Sequence, residues 1–302
     1  MTRLLTPYIL CAAILLGGTN CLAQPGNNNV AAPITVMLRF DDIGMCHALN
    51  TAIDEIAGTG LPMSASVMFA CPWYQEAVTV LKRHPNVSVG VHLTLNSEWK
   101  NYRWGPVAGA GSVPSLVDSN GYFFPSRAAL FAHNPRVEEI ERELRSQLDR
   151  AVHSGLRIDY VDYHMGAAVQ TLELRSLVER LAAEYHVGIS RYFGERDTGN
   201  VYSAPFESKT DTLVKVTEGL IPGVRWLLVF HIGLETPEMD ALVDMNSFGL
   251  PNVSKYRNAE RKAVLSERFQ NVLRKRNIQL RSYYDVIGEE GLEKMKRPPV
   301  EQ

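Results

Sequence analysis

The chain has 302 residues, of which 45% are hydrophobic, and this is enough to form a large buried core. The length permits two domains, but a single α/β barrel also reaches this size. The net charge is -2 at pH 7, with no basic stripe and no long run of one charge, which argues against nucleic acid as a partner.

The first 23 residues have the features of a secretory signal peptide. Arg3 gives a positive start, and residues 8–16 form an apolar stretch that is too short to span a membrane. Cys21-Leu22-Ala23 offers small residues where a signal peptidase reads, so we expect cleavage after Ala23 and a periplasmic or extracellular mature chain without stable membrane insertion. A lipid anchor at Cys21 ranks second, because the three residues before it are a poor lipid-attachment context, and an uncleaved anchor ranks third.

After a polar linker at residues 24–32, strand and helix patterns alternate along the chain. The predicted strands are residues 34–40, 63–69, 87–95, 158–164, 188–192, 226–231 and 278–283. The predicted helices are residues 48–57, 136–154, 172–185 and 255–275, with a further helix that begins at Pro72. Repeated strand-then-helix units predict a parallel sheet, and no linker divides residues 33–290. We therefore expect one α/β domain, followed by a C-terminal tail at residues 291–302.

Residues 96–134 form a long irregular segment that is rich in glycine, proline and aromatic side chains. A loop of this length in a compact domain is usually functional. We expect Trp99, Tyr102 and Trp104 to form one wall of a substrate cleft. The alternative is that they pack the loop onto the barrel.

Acidic and histidine residues fall at the ends of four predicted strands. Asp41 and Asp42 end the first strand, His92 lies near the end of the third, His164 ends the fourth, and His231 ends a late one. In a parallel α/β barrel the carboxyl ends of the strands share one face, where catalytic groups collect. These five residues are therefore expected to meet at one site.

Alternation within the strands supports this convergence. In residues 87–95 the valines fall on one side of the strand and His92 on the other, and in residues 158–164 Asp162 and His164 share a side. The two histidines are therefore predicted to face the same barrel mouth.

Asp41 and Asp42 are adjacent, so both reach one site only if the strand breaks there, and Gly44 favours such a break. Two histidines and one carboxylate form a facial ligand set that suits a divalent metal holding water. A second carboxylate can take a proton from that water, and a further histidine can protonate a leaving group. The pattern therefore predicts metal-assisted hydrolysis of an amide or ester. The remaining histidines have no such acidic partner set and are interpreted as structural or surface residues: His47, His84, His133, His153 and His186.

The order of the motifs resembles the YdjC/ChbG-like carbohydrate deacetylase family. The resemblance covers residues 35–284, and its segments are Arg39-Phe40-Asp41-Asp42-Ile43-Gly44, Ser64-Ala65-Ser66-Val67-Met68, Gly90-Val91-His92-Leu93-Thr94-Leu95 and Asp162-Tyr163-His164. It implies a distorted (β/α) barrel that removes N-acetyl groups from amino-sugar oligosaccharides. It also implies Asp42, His92 and His164 as ligands of Zn²⁺ or Mg²⁺, Asp41 as the base, and His231 as the acid or orienting histidine.

The sequence departs from the family pattern at two positions. Ile232 replaces the proline of a His-Pro-Gly element, and Gly166 stands where the family often has a second histidine. Other functions remain as alternatives: a glycosidase or esterase on the same barrel, or a non-catalytic glycan-binding module. A glycosidase needs two carboxylates that flank the scissile bond, whereas this chain presents a histidine-rich set. Nothing in the sequence indicates an oligomeric state.

Cys46 and Cys71 follow the first and second predicted strands, which are expected to be neighbours in the sheet. Export would expose both cysteines to oxidising conditions, which permit a disulfide between them. The alternative is two separate buried thiols, since free cysteine packs as a small hydrophobic residue.

Overall fold

The fold is built on a parallel sheet that curls into a half-closed barrel. The computed structural model describes residues 32–198 and 201–299. Its strands are β1 Thr35–Ile43, β2 Ser64–Val67, β3 Ser88–Leu93, β4 Ile158–Tyr163, β5 Gly188–Ile189, β6 Arg196–Asp197, β7 Arg225–Phe230 and β8 Gln279–Arg281. The sheet order is β5-β4-β3-β2-β1-β7-β6, and β8 also pairs with β1. All of these pairings are parallel.

Helices connect most of the strands and cover the outside of the sheet. They are α1 His47–Ala57, α2 Tyr74–Lys82, α3 Arg127–Ala132, α4 Val137–His153, α5 Leu172–Tyr185, α6 Lys209–Glu218, α7 Pro237–Asp240, α8 Val253–Leu265, α9 Glu267–Lys275 and α10 Tyr283–Glu290. The predicted α/β fold, a distorted (β/α) barrel in one domain, is thereby confirmed.

β1 lies in the middle of the sheet and is buried on both faces, as expected for a parallel strand between a barrel interior and an outer layer of helices. Phe40 stacks on Phe230 of β7, with ring centroids 5.3 Å apart. The ring of Tyr160, on β4, packs in a buried cluster with Met37 of β1 and Leu227 of β7. A Cβ atom at Gly90 would lie 2.4 Å from that ring, so only glycine fits at this position in β3.

The predicted helix over residues 255–275 is wrong, because the structure has two helices there. Ser266 has an extended backbone between α8 and α9, and its side chain accepts a hydrogen bond from the Phe269 amide, which makes it the N-cap of α9. Ser282 is likewise the N-cap of a helix. It forms a capping box with Asp285, so the last predicted strand ends early and α10 begins. Three further helices, α3, α6 and α7, were not predicted.

The irregular segment at residues 96–134 contains a 3-10 helix, Pro114–Leu116, and α3. Two acidic side chains of α4 anchor the segment. Glu143 accepts hydrogen bonds from the amides of Val107 and Ala108, and Glu139 accepts one from the amide of Ser115. These buried carboxylates replace the backbone ladder that a segment without regular structure lacks.

The expected signal peptide, its cleavage site after Ala23 and the alternative anchor at Cys21 lie outside the described residues. Within the described part of the chain, no helix is both long and apolar enough to cross a membrane. Cys46 and Cys71 are buried free thiols, so the disulfide alternative is wrong and the alternative of two separate thiols is confirmed. Cys46 contacts the sulfur of Met239 instead, at 3.5 Å.

Candidate active site

The carboxyl ends of the strands bring together the acids and histidines that the sequence singled out. Asp41 and Asp42 belong to β1, and His92 belongs to β3. His164 and His231 directly follow β4 and β7. All five side chains line one cavity of about 230 Å³. The expected convergence on one face of the barrel is therefore present.

The strand irregularity that lets both aspartates reach this cavity lies at Asp42. Its φ is 63°, in the left-handed region, and the register between β1 and β2 shifts between Phe40 and Ile43. The expected break of the strand at the two aspartates is therefore present, and Gly44, which favoured it, also has a positive φ of 87°. A non-glycine residue at positive φ is strained and persists only where its surroundings hold it.

Three side-chain atoms form a compact triangle inside the cavity. Asp42 Oδ1 lies 3.4 Å from His92 Nε2 and 3.2 Å from His164 Nδ1. The two histidine nitrogens are 3.3 Å apart. Ligands bound at about 2.0–2.2 Å to one tetrahedral ion would be separated by roughly 3.3–3.5 Å. The spacing of the triangle therefore fits a divalent metal ion.

Carboxylates behind the triangle fix the orientation of both histidines. Asp162 Oδ1 lies 2.9 Å from His92 Nδ1, and Glu98 Oε2 lies 3.0 Å from His164 Nε2. Each carboxylate accepts the N–H of its histidine and thereby orients the other ring nitrogen toward Asp42. Asp42 Oδ1 is buried and receives no hydrogen bond within the described residues. A carboxylate oxygen and two ring nitrogens that converge in this way are the chemistry of a cation site.

The electrostatics of the triangle agree with this reading. Burial lowers the pKa of His92, but the charges of Asp162 and Asp41 outweigh burial and raise that pKa to about 10. Burial likewise opposes ionisation of Asp42, yet the Arg257 guanidinium and the two histidines hold the pKa of its carboxyl well below the usual range. The cavity thus stabilises positive charge at its centre.

Asp41 has a different partner from Asp42. Arg39 donates two hydrogen bonds to its carboxylate, each 2.7 Å long, and also lies 3.1 Å from Asp162 Oδ2. Burial opposes ionisation of Asp41, but Arg39 lowers its pKa to about 2. Asp41 is therefore ionised at neutral pH and is held rigidly beside the triangle.

His231 is neutral at neutral pH, because burial lowers its pKa to about 4 despite the attraction of Asp42 and Asp41. The ring packs against Tyr202, with centroids 4.7 Å apart. The backbone amide of His231 donates to Glu260, at 2.6 Å, and its Nδ1 is buried with no partner among the described residues. The side chain thus keeps a free hydrogen-bonding atom at the cavity.

Arg257 of α8 was not predicted as a site residue. Its guanidinium is fully buried and donates to Asp42 Oδ2, at 2.7 Å. This contact anchors the second oxygen of Asp42, so that Oδ1 faces the histidines. The sequence does not single it out, because α8 also buries Ser254, Asn258 and Glu260.

The aromatic residues of the irregular segment occupy unequal positions. Trp99 lines the cavity, and its indole N–H points to the sulfur of Met45, at 3.2 Å. Tyr102 and Trp104 are instead found in packing positions, because the Tyr102 hydroxyl donates to the Met45 carbonyl and the buried Trp104 indole donates to the Asn96 carbonyl. These two rings hold the loop on the barrel.

The family model for YdjC-like proteins matches residues 35–275. The chain belongs to this family. The carbohydrate deacetylase of Thermus thermophilus is 30% identical over 233 residues, which cover 69% of this YdjC-like chain and 81% of the relative. Carbohydrate deacetylase 1 of Listeria innocua is 24% identical and covers 83% and 99% of the two chains.

Two more comparisons cover different shares of the chain. The carbohydrate deacetylase of Brevibacillus brevis is 35% identical, but the match spans 58% of that relative and 51% of this chain. Among solved structures, a proposed cellobiose-phosphate cleavage protein from Enterococcus faecalis has a TM-score of 0.67 at 20% identity, covering 84% of this chain and 98% of the other. At that identity the structural likeness establishes the fold alone.

Proposed function

We propose that this YdjC-like protein is a metal-dependent deacetylase that removes N-acetyl groups from amino-sugar oligosaccharides. The triangle formed by Asp42, His92 and His164, with the ionised carboxylate of Asp41 beside it, is the observation that carries the proposal. The family and its carbohydrate deacetylase relatives support the substrate class.

The three triangle residues would hold the ion, and His92 and His164 favour zinc or another transition metal, while Mg²⁺ remains the alternative. When bound, such an ion polarises the amide carbonyl and lowers the pKa of water. Asp42 would be an ion ligand through Oδ1, since Arg257 already occupies its Oδ2.

The remaining steps fall to residues beside the triangle. Asp41 accepts a proton from the attacking water, and Arg39 keeps its carboxylate in place. As the C–N bond breaks, the sugar nitrogen gains the proton that Asp41 took from water, and the acetyl group leaves as acetic acid, which releases the second water proton to solvent and becomes acetate. His231 is neutral before turnover, so it is not itself the source of the proton. It can only pass on to the leaving amine the proton that Asp41 has taken from water. Trp99 would contact the sugar.

Acetate release tests the proposal. Purified protein is incubated with N-acetylated oligosaccharides after chelation and after addition of Zn²⁺ or Mg²⁺, and acetate is measured. We expect activity that chelation abolishes and metal restores. The His92→Ala variant should lose both bound metal and acetate release, whereas the surface variant His153→Ala should keep both. Chelator-resistant cleavage of glycosidic bonds would contradict the proposal and support the glycosidase alternative.

We also propose that the protein is exported, on the basis of the charged start and apolar stretch of residues 1–23. N-terminal sequencing of the protein recovered from its producing cells would test this. We expect a mature chain that begins at Gln24. An intact Met1, or a lipid on Cys21, would contradict cleavage after Ala23.

A further inference from the structure

A second cavity, of about 720 Å³, adjoins the catalytic one. The two cavities share the lining residues Asp41, Tyr163, Met165 and His231. A volume of several hundred cubic ångströms is typical of ligand pockets. A sugar chain bound with its N-acetyl group at the triangle would have neighbouring rings within reach of this space.

Four arginines line the second cavity, but two of them are already paired. Arg39 is bound to Asp41, and Arg191 makes two hydrogen bonds of 2.8 Å with Asp197. Asp41 and Asp197 are also the two acidic residues that line the cavity. The charge of this pair of arginines is therefore neutralised within the wall.

Arg127 and Arg175 also line this cavity, and neither guanidinium group makes a hydrogen bond or a close ion pair with another described residue. Arg175 lies one helical turn from Glu179, whose two carboxylate oxygens are each held at 2.6 Å by Arg297. The cavity thus has two uncommitted guanidinium groups and no uncommitted carboxylate on its wall. Its net charge is positive at the edge of the catalytic centre.

Gly166 leaves the space that the Arg127 guanidinium occupies. The residue lies at φ 72° in the turn after His164, and a Cβ atom there would be 3.0 Å from Arg127 Nη1. A side chain at position 166 would meet the guanidinium, and the left-handed backbone would itself be strained by one. The turn therefore leaves room for the cation beside the catalytic residues.

We propose that the second cavity is a subsite for an anionic sugar, and that Arg127 and Arg175 bind its carboxylate or sulfate group. The preferred substrate is then an acidic glycan in which an N-acetylated amino sugar neighbours a uronate or a sulfated sugar. The planar guanidinium forms two parallel hydrogen bonds with a carboxylate or sulfate, and these are stronger than neutral ones. This inference rests on the proposed deacetylase function and specifies its substrate class.

Acetate release from matched oligosaccharides tests the subsite. The probes are a tetrasaccharide of alternating glucuronic acid and N-acetylglucosamine, its O-sulfated form, and neutral N-acetylchitotetraose. We expect kcat/KM to be at least about tenfold higher for one of the acidic probes, with the preference falling as salt is added. In the Arg127→Gln/Arg175→Gln variant this ratio should fall to about one, with the neutral substrate unchanged. The control, Arg268→Gln, removes an exposed arginine that pairs with Asp211 on the outside of the barrel.

The possible outcomes separate the subsite from the deacetylase function. An acidic-to-neutral ratio of one or less in the unaltered protein would overturn the subsite, and so would an equal loss on both substrates in the double variant. If no probe releases acetate, the proposed function fails. Calorimetric titration of the metal-loaded protein with the acidic tetrasaccharides then tests the subsite alone. Binding that the double variant loses would support it, and no binding to the unaltered protein would overturn it.

Discussion

The two adjacent aspartates at the end of β1 show how neighbours set the role of a residue. Arg39 binds both oxygens of Asp41, whereas Arg257 binds only Oδ2 of Asp42. Oδ1 of Asp42 therefore faces the two histidines. The left-handed backbone of Asp42 sends two successive side chains into one cavity. A regular strand would have turned one of them away.

This division of roles predicts the effect of Asp41→Asn. The amide keeps the shape of the carboxylate but cannot accept the proton of water, so kcat should fall by about 10²–10⁴. Bound metal should be unchanged, and elemental analysis beside acetate release measures both. Asp54→Asn, on the exposed side of α1, is the matched control. If Asp41→Asn loses metal while His92 variants retain it, the two aspartates have exchanged roles.

At the residue scale, the sequence predicts which residues end strands. Because the strand ends of a parallel sheet share one face, it also predicts that these residues converge. It predicted the convergence of Asp41, Asp42, His92 and His164. It did not predict Glu98 or Arg257, since Glu98 lies in an irregular loop and Arg257 on a helix far along the chain. Their contacts depend on tertiary packing, for which neither periodicity nor spacing gives a signal.

At the scale of elements, two loops form the rim of the catalytic cavity. Trp99 pairs with Asp244 in an isolated antiparallel bridge, and the Met245 amide donates to the Glu98 carbonyl, at 2.9 Å. The second loop presents Phe248, which lines the cavity although 68% of its surface is exposed. An exposed aromatic ring at a cavity mouth suits contact with the apolar face of a sugar.

Phe248→Ala should therefore weaken substrate binding more than stability. Loss of roughly 1 kcal/mol of apolar contact corresponds to about a fivefold rise in KM, with kcat nearly unchanged. Steady-state kinetics with an N-acetylated oligosaccharide measures this. Val243→Ala is the control, because Val243 is exposed on the same loop but does not line the cavity. Equal kinetics for the two variants would leave Phe248 without a substrate role.

The anchor of the irregular segment predicts a pH dependence of stability. Burial raises the pKa of Glu143 to about 7 from an ordinary 4.5, although its hydrogen bonds with Ala108, Gln147 and Val107 oppose the rise. The folded chain then holds a proton that the unfolded chain releases between these values. The free energy of unfolding should therefore fall as the pH rises from about 4.5 to about 7, by roughly 1–3 kcal/mol.

Denaturant unfolding of the unaltered protein and of Glu143→Gln across this pH range checks the prediction. The variant is less stable overall, because its amide cannot accept every hydrogen bond, but it should lack this part of the pH slope. Glu138→Gln, on an exposed position of the same helix, serves as the control. Identical slopes in all three proteins would show that Glu143 does not carry the effect.

At the scale of the whole molecule, the alternation of strand and helix patterns sufficed to predict a parallel sheet and a single domain. The boundaries inside residues 255–290 were less predictable, since Ser266 and Ser282 cap helices through hydrogen bonds that hydrophobic spacing does not reveal. The pairing of β1 with both β2 and β8 was equally unpredictable from the sequence, because it depends on where distant segments pack.

The pair of Asp42 and Arg257 joins positions 215 residues apart. Closing so long a loop has a larger entropic cost than forming a local contact, and we expect it to follow the formation of local contacts. The first two thirds of the chain carry Asp42, His92 and His164, but Asp42 lacks its counter-charge until α8 docks. A nascent or truncated chain would therefore have these three side chains without the geometry of the site, which forms only in the completed fold.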